Sequence, residues 1–278
     1  MRHTAFPYAD KSKRTPCEPV SVKMSFSDAE SGYPTQGTRS ARSIPKQGSL
    51  PFPWHVPPES VISAFMDDLI REVKAYSLVC AEGSRGSHDW EHTRRVHALC
   101  LKIGRAEGAD LLVLELAAYL HDVGRTAEDE ARGGICHAAK GADMARAFLQ
   151  GKLANNGRLE NVLHCIRTHR FRGDSRPETL EARVLFDADK LDAIGAVGIG
   201  RAFQFAGEVG ATLHNPLADP ENTAPYTRED TAYREYRLKL SRIRERMLTA
   251  EGRRLAEERH AFMEQFFERF LEEVEGRK

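Results

Sequence analysis

The sequence has few cysteines, and they lack the spacing that forms disulfide frameworks or zinc sites. Its 278 residues contain five, at positions 17, 80, 100, 136 and 165, and none belongs to a CxxC pair. An odd number of isolated cysteines argues against a disulfide-stabilised scaffold and against a zinc knuckle. We interpret them as free thiols in a reducing compartment.

Neither an excess of one charge nor a long apolar run is present. The 41 Lys and Arg residues balance the 41 Asp and Glu residues, so no overall basic field attracts nucleic acid. We interpret the Arg-rich stretch KLSRIRERM as a solvated helix face, and nucleic acid is not an expected partner. The longest apolar run, LLVLELAAYL, is too short to cross a bilayer and contains Glu115. We expect a cytoplasmic protein without membrane association.

Residues 1–57 lack periodic apolar spacing and are rich in Ser, Thr, Pro and Gly. Such a segment cannot bury enough apolar surface to offset the entropy lost on ordering, so it is predicted to be a disordered extension. Its Ser- and Arg-containing, acid-poor start also fits a targeting segment for an organelle.

Residues 58–278 lack the alternating pattern of strands and show helical spacing nearly throughout. Apolar residues recur three and four positions apart, as in Phe65, Leu69, Val73 and Tyr76. The pattern predicts an all-α domain of about eight or nine helices. One helix should run from its cap at Asp110 to Val123, with Gly124 directly after it. A second should cover Phe186–Phe205, and a third should carry Tyr236 to Met247.

The last predicted helix carries an aromatic stripe formed by Phe262, Phe266 and Phe270. Aromatic residues four positions apart share one face of a helix. The stripe is interpreted either as part of the core or as a dimer seam, so a homodimer stays open.

The stretch AYLHDVGR places His121 and Asp122 at the end of an apolar helix. A carboxylate in the last turn faces the negative end of the helix dipole, which is unfavourable unless a cation lies against it. Imidazole and carboxylate together suit a divalent transition metal. His92 is a further candidate ligand, because Val96, Leu99 and Ile103 place its helix face toward the core.

Three carboxylates fall within the otherwise small and apolar stretch FDADKLDAIGAVGIGRAF. Asp187, Asp189 and Asp192 enter a segment predicted to face the core, where unpaired carboxylates are costly. Pairing or metal binding is therefore expected there.

The order His92, His121-Asp122, Asp189 on a helical background resembles the HD-domain metal-dependent phosphohydrolase superfamily. The stretches HDWEHTRRV, LHDVGR, THRF and FDADKLDAIGAVGIGRAF together resemble one bacterial-type subgroup of stand-alone HD hydrolases, over about residues 60–275. The domain at 58–278, including its C-terminal helices, is accordingly expected to be an HD-type hydrolase domain. The earlier pair His88-Asp89 lies one helical turn before His92 and is not the family dyad.

The resemblance implies metal ligation by His92, His121, Asp122 and Asp189. It implies a divalent metal ion, with Mn²⁺ favoured and Mg²⁺, Co²⁺, Ni²⁺ or Fe²⁺ compatible. One ion per chain is expected, because the adjacent His-His pair of some two-metal families is missing. His137 and His169 are nevertheless available to a second ion.

The activity implied is hydrolysis of phosphate esters or anhydrides by a metal-activated water. A small-molecule nucleotide is the expected substrate, and the enzyme would be a nucleotidase or a nucleoside triphosphate pyrophosphohydrolase. The candidate catalytic residues are Asp122, Arg125, Lys190 and His137, and the candidate substrate-binding residues are His88, Arg125, His169, Lys190 and Asp192. Asp192 is also placed to orient a ligand histidine.

Two other functions stay open from the sequence. One is an HD module that binds metal or nucleotide without turnover, although its expected signature, a degenerate dyad, is missing. The other is an HD-type oxygenase with a two-iron centre, which requires about two metal ions per chain.

Overall fold

Every regular element that the structure describes is helical. The computed structural model describes residues 59–82, 89–131, 133–153, 155–170, 175–216 and 219–278, and side chains from residue 64 onward. Within these ranges there are ten α-helices, two 3₁₀ segments and no strand, so the predicted all-α fold is confirmed. The predicted extension, residues 1–57, and the candidate residue His88 lie outside the described residues.

Eight of the α-helices have ten residues or more, and α4 and α9 are shorter. The helices are α1 (Glu59–Ala81), α2 (Trp90–Glu107), α3 (Leu111–Leu120), α4 (Arg125–Glu130), α5 (His137–Leu149), α6 (Asn156–Thr168), α7 (Leu180–Leu191), α8 (Gly195–Glu208), α9 (Ala232–Leu238) and α10 (Ala250–Val274). The 3₁₀ segments Pro220–Asn222 and Leu240–Arg246 lie on either side of α9.

Helix α3 is the centre of the core. It is apolar on nearly every side, and Val113 to Leu120 are buried with the exception of Glu115. It contacts α1, α2, α5, α6 and α7, and a helix enclosed in this way needs no polar face. The surrounding core runs without interruption from Leu69 in α1 to Phe267 in α10.

Side-chain caps define where α2, α3 and α7 begin. Asp89 accepts a hydrogen bond from the backbone N–H of His92, and Asp110 accepts from Leu112 and Val113. Thr179 caps α7 in the same way. Such caps satisfy N–H groups that have no partner inside the helix. The first turn of α2 lies beside the C-terminal ends of α3 and α7, because His92 is within 3.4 Å of His121 and Asp189.

The predicted end of α3 is wrong. The helix stops at Leu120, and residues 121–124 form a turn that leads directly into α4. Gly124 has φ −85° and precedes α4, so it is not a left-handed glycine after a helix. Its lack of a side chain serves close packing, because a Cβ there would lie 2.3 Å from the carbonyl oxygen of His137.

The predicted helix over Phe186–Phe205 is also interrupted. Helix α7 ends at Leu191, Asp192 follows as its cap, and α8 begins at Gly195. Gly195 has φ +77°, a conformation that favours glycine and breaks a helix. The predicted helix from Tyr236 to Met247 is likewise divided, into α9 and a 3₁₀ segment.

The aromatic stripe belongs partly to the core. Phe266 and Phe270 are half-buried and pack with Phe267, whereas Phe262 is exposed. No disulfide bond joins any of the four cysteines within the described residues. Among the described helices, none combines the length and apolar character that a membrane crossing requires.

Candidate metal centre

The candidate site lies where the C-terminal ends of α3, α6 and α7 meet. His121 follows the last residue of α3, His169 follows α6, and Asp189 lies in the last turn of α7. Two further histidines line the site: His92, in the first turn of α2, and His137, the first residue of α5. Three helix C-termini directed at one point carry partial negative charge, which favours a cation there.

A first donor set consists of His92, His121 and Asp189, whose ligand atoms lie within 4.8 Å of one another. The Nε2 atom of His92 is 3.3 Å from Nε2 of His121 and 3.4 Å from Oδ1 of Asp189. Oδ2 of Asp122 lies 3.7 Å and 3.6 Å from the same two imidazole nitrogens. The four residues predicted as metal ligands are thus brought together.

A second donor set adjoins the first and consists of Asp122, His137 and His169. The Nε2 atoms of the two histidines are 3.2 Å apart. Oδ1 of Asp122 lies 3.3 Å from Nε2 of His137 and 3.6 Å from Nε2 of His169. Asp122 therefore faces one donor set with each of its carboxylate oxygens.

All four imidazoles have the same orientation relative to the centre. Each ring contacts, through Nδ1, an oxygen on the side away from the centre. His121 contacts the carbonyl of Ala118 and His169 contacts the carbonyl of Ile166, both at 2.7 Å. His92 and His137 contact the carboxylates of Asp192 and Glu128. Because these oxygens only accept, Nδ1 carries a hydrogen in each ring, so the neutral form has its lone pair on Nε2, the atom that points inward and that a metal would bind. The donor chemistry of both sets therefore fits a divalent ion.

Burial and neighbouring charge set the protonation of the imidazoles. Burial lowers the pKa of His121 to about 4 and that of His137 to about 4, so both are neutral near pH 7. Burial also opposes the charged form of His92, but hydrogen bonds with Asp189 and Asp192 outweigh it and raise the pKa to about 9. Neutral imidazole is the form that binds a metal.

Two predicted cationic residues lie beside the ligand carboxylates. Arg125 Nη2 is 3.2 Å from Oδ1 of Asp122. Lys190 donates from Nζ to Oδ2 of Asp189 at 2.5 Å and to the carbonyl of His169 at 3.2 Å. Burial raises the pKa of Asp189, but Lys190 and His92 outweigh it and hold the pKa well below its usual range. Both cations are about one-fifth exposed and so are accessible from solvent.

Two residues of the site, Glu128 and Arg170, were not predicted from the sequence. Glu128 accepts from Nδ1 of His137 at 2.6 Å and from Arg170 Nη1 at 2.8 Å. Glu128 lies in the charged stretch RTAEDEARGG. Because this stretch has no periodic apolar residues, the sequence does not indicate which way the Glu128 side chain points. The sequence feature that could have indicated this pair is Arg170, which directly follows the candidate residue His169 within THRF.

Two of the three carboxylates in FDADKLDAIGAVGIGRAF do not face the donor sets. Asp187 is buried and accepts from the backbone of Leu248 and Thr249 and from the Thr249 hydroxyl, which ties α7 to the start of α10. Asp192 lies behind His92, with its side chain 1% exposed. This placement fits the orienting role expected for Asp192. The substrate-binding role also expected for Asp192 does not fit a carboxylate that is 1% exposed and held by His92, Arg95 and Arg201.

The family model described as the HD domain matches residues 89–194, a range that holds the first donor set and the second. Protein YpgQ of Bacillus subtilis, an uncharacterized protein, is 37% identical over 205 residues, which cover 72% of this chain and 90% of YpgQ. The chain belongs to the HD-domain family. The family resemblance that the motifs indicated is therefore confirmed.

Similarity to solved structures supports the same assignment. An HD-superfamily hydrolase from Bacillus thuringiensis superposes with a TM-score of 0.61 at 28% identity, covering 76% of this chain and 98% of that one. YpgQ of Bacillus subtilis in complex with ADP gives a TM-score of 0.57 at 33% identity, covering 76% and 96%. With the donor sets, these similarities support an enzyme of the metal-dependent hydrolase kind.

Proposed function

We propose that this HD-domain protein is a metal-dependent phosphohydrolase that acts on nucleotides. The observation that carries the proposal is the convergence of inward-facing imidazoles on Asp122 and Asp189, with Arg125 and Lys190 at the accessible edge. A donor set of nitrogen and oxygen ligands beside accessible cations suits an anionic phosphate substrate.

His92, His121, Asp122 and Asp189 would hold the metal ion, for which Mn²⁺ is the first candidate. When bound, such an ion lowers the pKa of a coordinated water and offsets charge on a phosphoryl group. Lys190 donates to Oδ2 of Asp189, which leaves Oδ1 directed at the ligand His92. Arg125 neutralises Asp122 and can exchange that contact for a phosphate oxygen.

The second donor set would bind the substrate and transfer protons to or from it. Glu128 holds the Nδ1 hydrogen of His137, so a proton taken up or released by this imidazole is at Nε2, the atom that faces the site. His169 lies 3.2 Å away, with its own Nε2 directed inward, and can contact a phosphate oxygen. These are the catalytic and substrate-binding roles expected for the two histidines.

A nucleotide is the favoured substrate because the related YpgQ has been crystallised with ADP. The test is a hydrolysis screen of nucleoside mono-, di- and triphosphates with Mn²⁺, Mg²⁺, Co²⁺ or Ni²⁺, in which every product is identified. Pyrophosphate from triphosphates would identify a pyrophosphohydrolase, and phosphate from monophosphates a nucleotidase. His121→Ala should lose both activity and metal, and full activity in this variant would contradict the proposal.

Binding without turnover is the competing function. It predicts that nucleotides raise the unfolding temperature of the metal-loaded protein, yet no product forms during long incubation. Intact donor sets favour hydrolysis over this alternative.

The second donor set offers ligands for a second ion, which is the structural basis of the two-metal alternative. Elemental analysis after loading and desalting should find about one ion per chain if His137 and His169 serve the substrate. About two ions would assign the second set to a metal, and two iron ions would support the oxygenase.

A further inference from the structure

The carboxylate of Asp192 is enclosed behind the first donor set. It lies directly after α7, with its side chain 1% exposed, and contacts three side chains from two other helices. His92 Nδ1 is 2.8 Å from Oδ2, Arg95 donates to both oxygens at 2.6 Å and 3.1 Å, and Arg201 Nη1 donates at 2.5 Å.

This contact determines which ring nitrogen of His92 faces the metal ligands. An ionised carboxylate accepts hydrogen bonds only, so Nδ1 of His92 must carry a hydrogen toward Asp192. Nε2 is then the atom directed at His121, Asp122 and Asp189. A ring turned by 180° would instead present a carbon to the donor set.

His92 differs from His121 in the charge of its outer partner. His121 donates to a neutral backbone carbonyl, whereas His92 donates to a carboxylate. Hydrogen bonds to an ionised group are stronger, and a carboxylate partner makes an imidazole a better metal ligand. Within the first donor set, the outer contact of His92 is therefore the stronger one.

The two arginines explain how an ionised carboxylate is stable in this buried position. A buried unpaired carboxylate is costly, and Arg95 and Arg201 offset that cost with charge-assisted hydrogen bonds. Arg95 lies three residues after His92 on the same face of α2. Arg201 reaches Asp192 from α8, so the contact joins α8 to the helix that carries His92.

We propose that Asp192 is a positioning residue that holds His92 in its metal-binding orientation, and that Arg201 makes α8 part of this support. The inference rests on the proposed metal site and adds to it a residue that contacts neither metal nor substrate.

The test measures Mn²⁺ binding by electron paramagnetic resonance, which detects the free ion and needs no substrate. Asp192→Asn keeps the shape and an acceptor oxygen but removes the charge, so its dissociation constant for Mn²⁺ should rise about 10- to 100-fold. Arg201→Gln should raise it by a smaller factor. Arg94→Gln is the matched control, because Arg94 precedes Arg95 on α2 yet pairs with Glu91 at the surface. Its affinity should match that of the wild type.

Wild-type affinity in Asp192→Asn would overturn the positioning role, and wild-type affinity in Arg201→Gln would overturn the role of α8. If circular dichroism shows that Asp192→Asn does not fold, the double variant Arg95→Gln/Arg201→Gln is measured instead. It keeps the Asp192 carboxylate but removes the two arginines that hold it. Wild-type affinity there would contradict the proposal. Because the readout is metal binding, a wild type that binds Mn²⁺ without hydrolysing nucleotides would refute the proposed function and leave this comparison intact.

Discussion

At the scale of single residues, the two donor sets share one design. In each set one histidine donates to a backbone carbonyl and the other to a carboxylate that an arginine holds. Asp192 has this role for the first set, and Glu128, held by Arg170, has it for the second. The two carboxylates are therefore expected to affect different functions.

Glu128→Gln should lower kcat about 10- to 100-fold, because the amide cannot stabilise a protonated His137 as a carboxylate does. Mn²⁺ affinity should change little if the first donor set alone holds the metal. Steady-state kinetics on the best nucleotide and Mn²⁺ titration by electron paramagnetic resonance would measure the two effects. Glu130→Gln, an exposed position on the same helix, serves as the control. An unchanged kcat would remove Glu128 from the proposed proton path.

The sequence could predict the ligands and one of their supports, Asp192, but not the other support, Glu128. His92 precedes and His121 follows apolar residues at helical spacing, so their direction toward the core is readable from the sequence. Glu128 lies in a run of charges with no such spacing, and its partner Arg170 is 42 positions away. Contacts of that sequence separation depend on how helices pack, which single-sequence periodicity does not describe.

At the scale of elements, the turn between α3 and α4 presents Asp122 to both donor sets. Gly124 lets this turn lie directly against α5, where a Cβ would be 2.3 Å from one backbone atom and 2.6 Å from another. Backbone atoms cannot move aside as a side chain can, so any larger residue must displace the turn.

Gly124→Ala should therefore destabilise the protein by about 1–3 kcal/mol, the usual cost of overpacking, and should weaken Mn²⁺ binding. Gly200→Ala is the matched control, because a Cβ at this position of α8 would have no described atom within 4 Å other than those of its chain neighbours and of the adjoining backbone of its own helix. There alanine should raise stability by about 0.5–1 kcal/mol, since it favours the helix more than glycine does. Urea unfolding would measure both. Equal stability of Gly124→Ala and wild type would show that the turn is not constrained as described.

Element boundaries were predicted well where a side chain caps a helix and poorly where packing ends one. Asp110 caps α3 as expected, since its carboxylate is adjacent in sequence to the N–H groups it accepts from. The end of α3 and the break before Gly195 depend instead on α5 and on Arg259 of α10, against which these glycines pack. Neither partner is close in sequence.

At the scale of the whole molecule, zero net charge coexists with a concentrated set of buried titratable groups. His121 and His137 have folded-state pKa values of about 4, below the ordinary value of 6.5. Their contribution to stability is complete above pH 6.5 and is lost as the pH falls toward 4, because the unfolded chain then binds protons that the folded chain does not. His92, at about 9, contributes fully below pH 6.5 and loses its contribution as the pH rises through 9.

The metal-free protein should consequently be most stable near pH 6.5. Its free energy of unfolding should decrease more steeply on the acidic side, where burial lowers the pKa values of His121, His137 and also His97, than on the alkaline side, where that of His92 is raised. Urea unfolding of chelator-treated protein at several pH values between 5 and 9 would measure this curve. His121→Gln removes one of these acid-side groups, so its acidic decline should be shallower while its alkaline decline persists. A wild-type free energy of unfolding that stays constant from pH 6.5 down to pH 5 would contradict the neutral, buried state of His121 and His137, on which both donor sets depend.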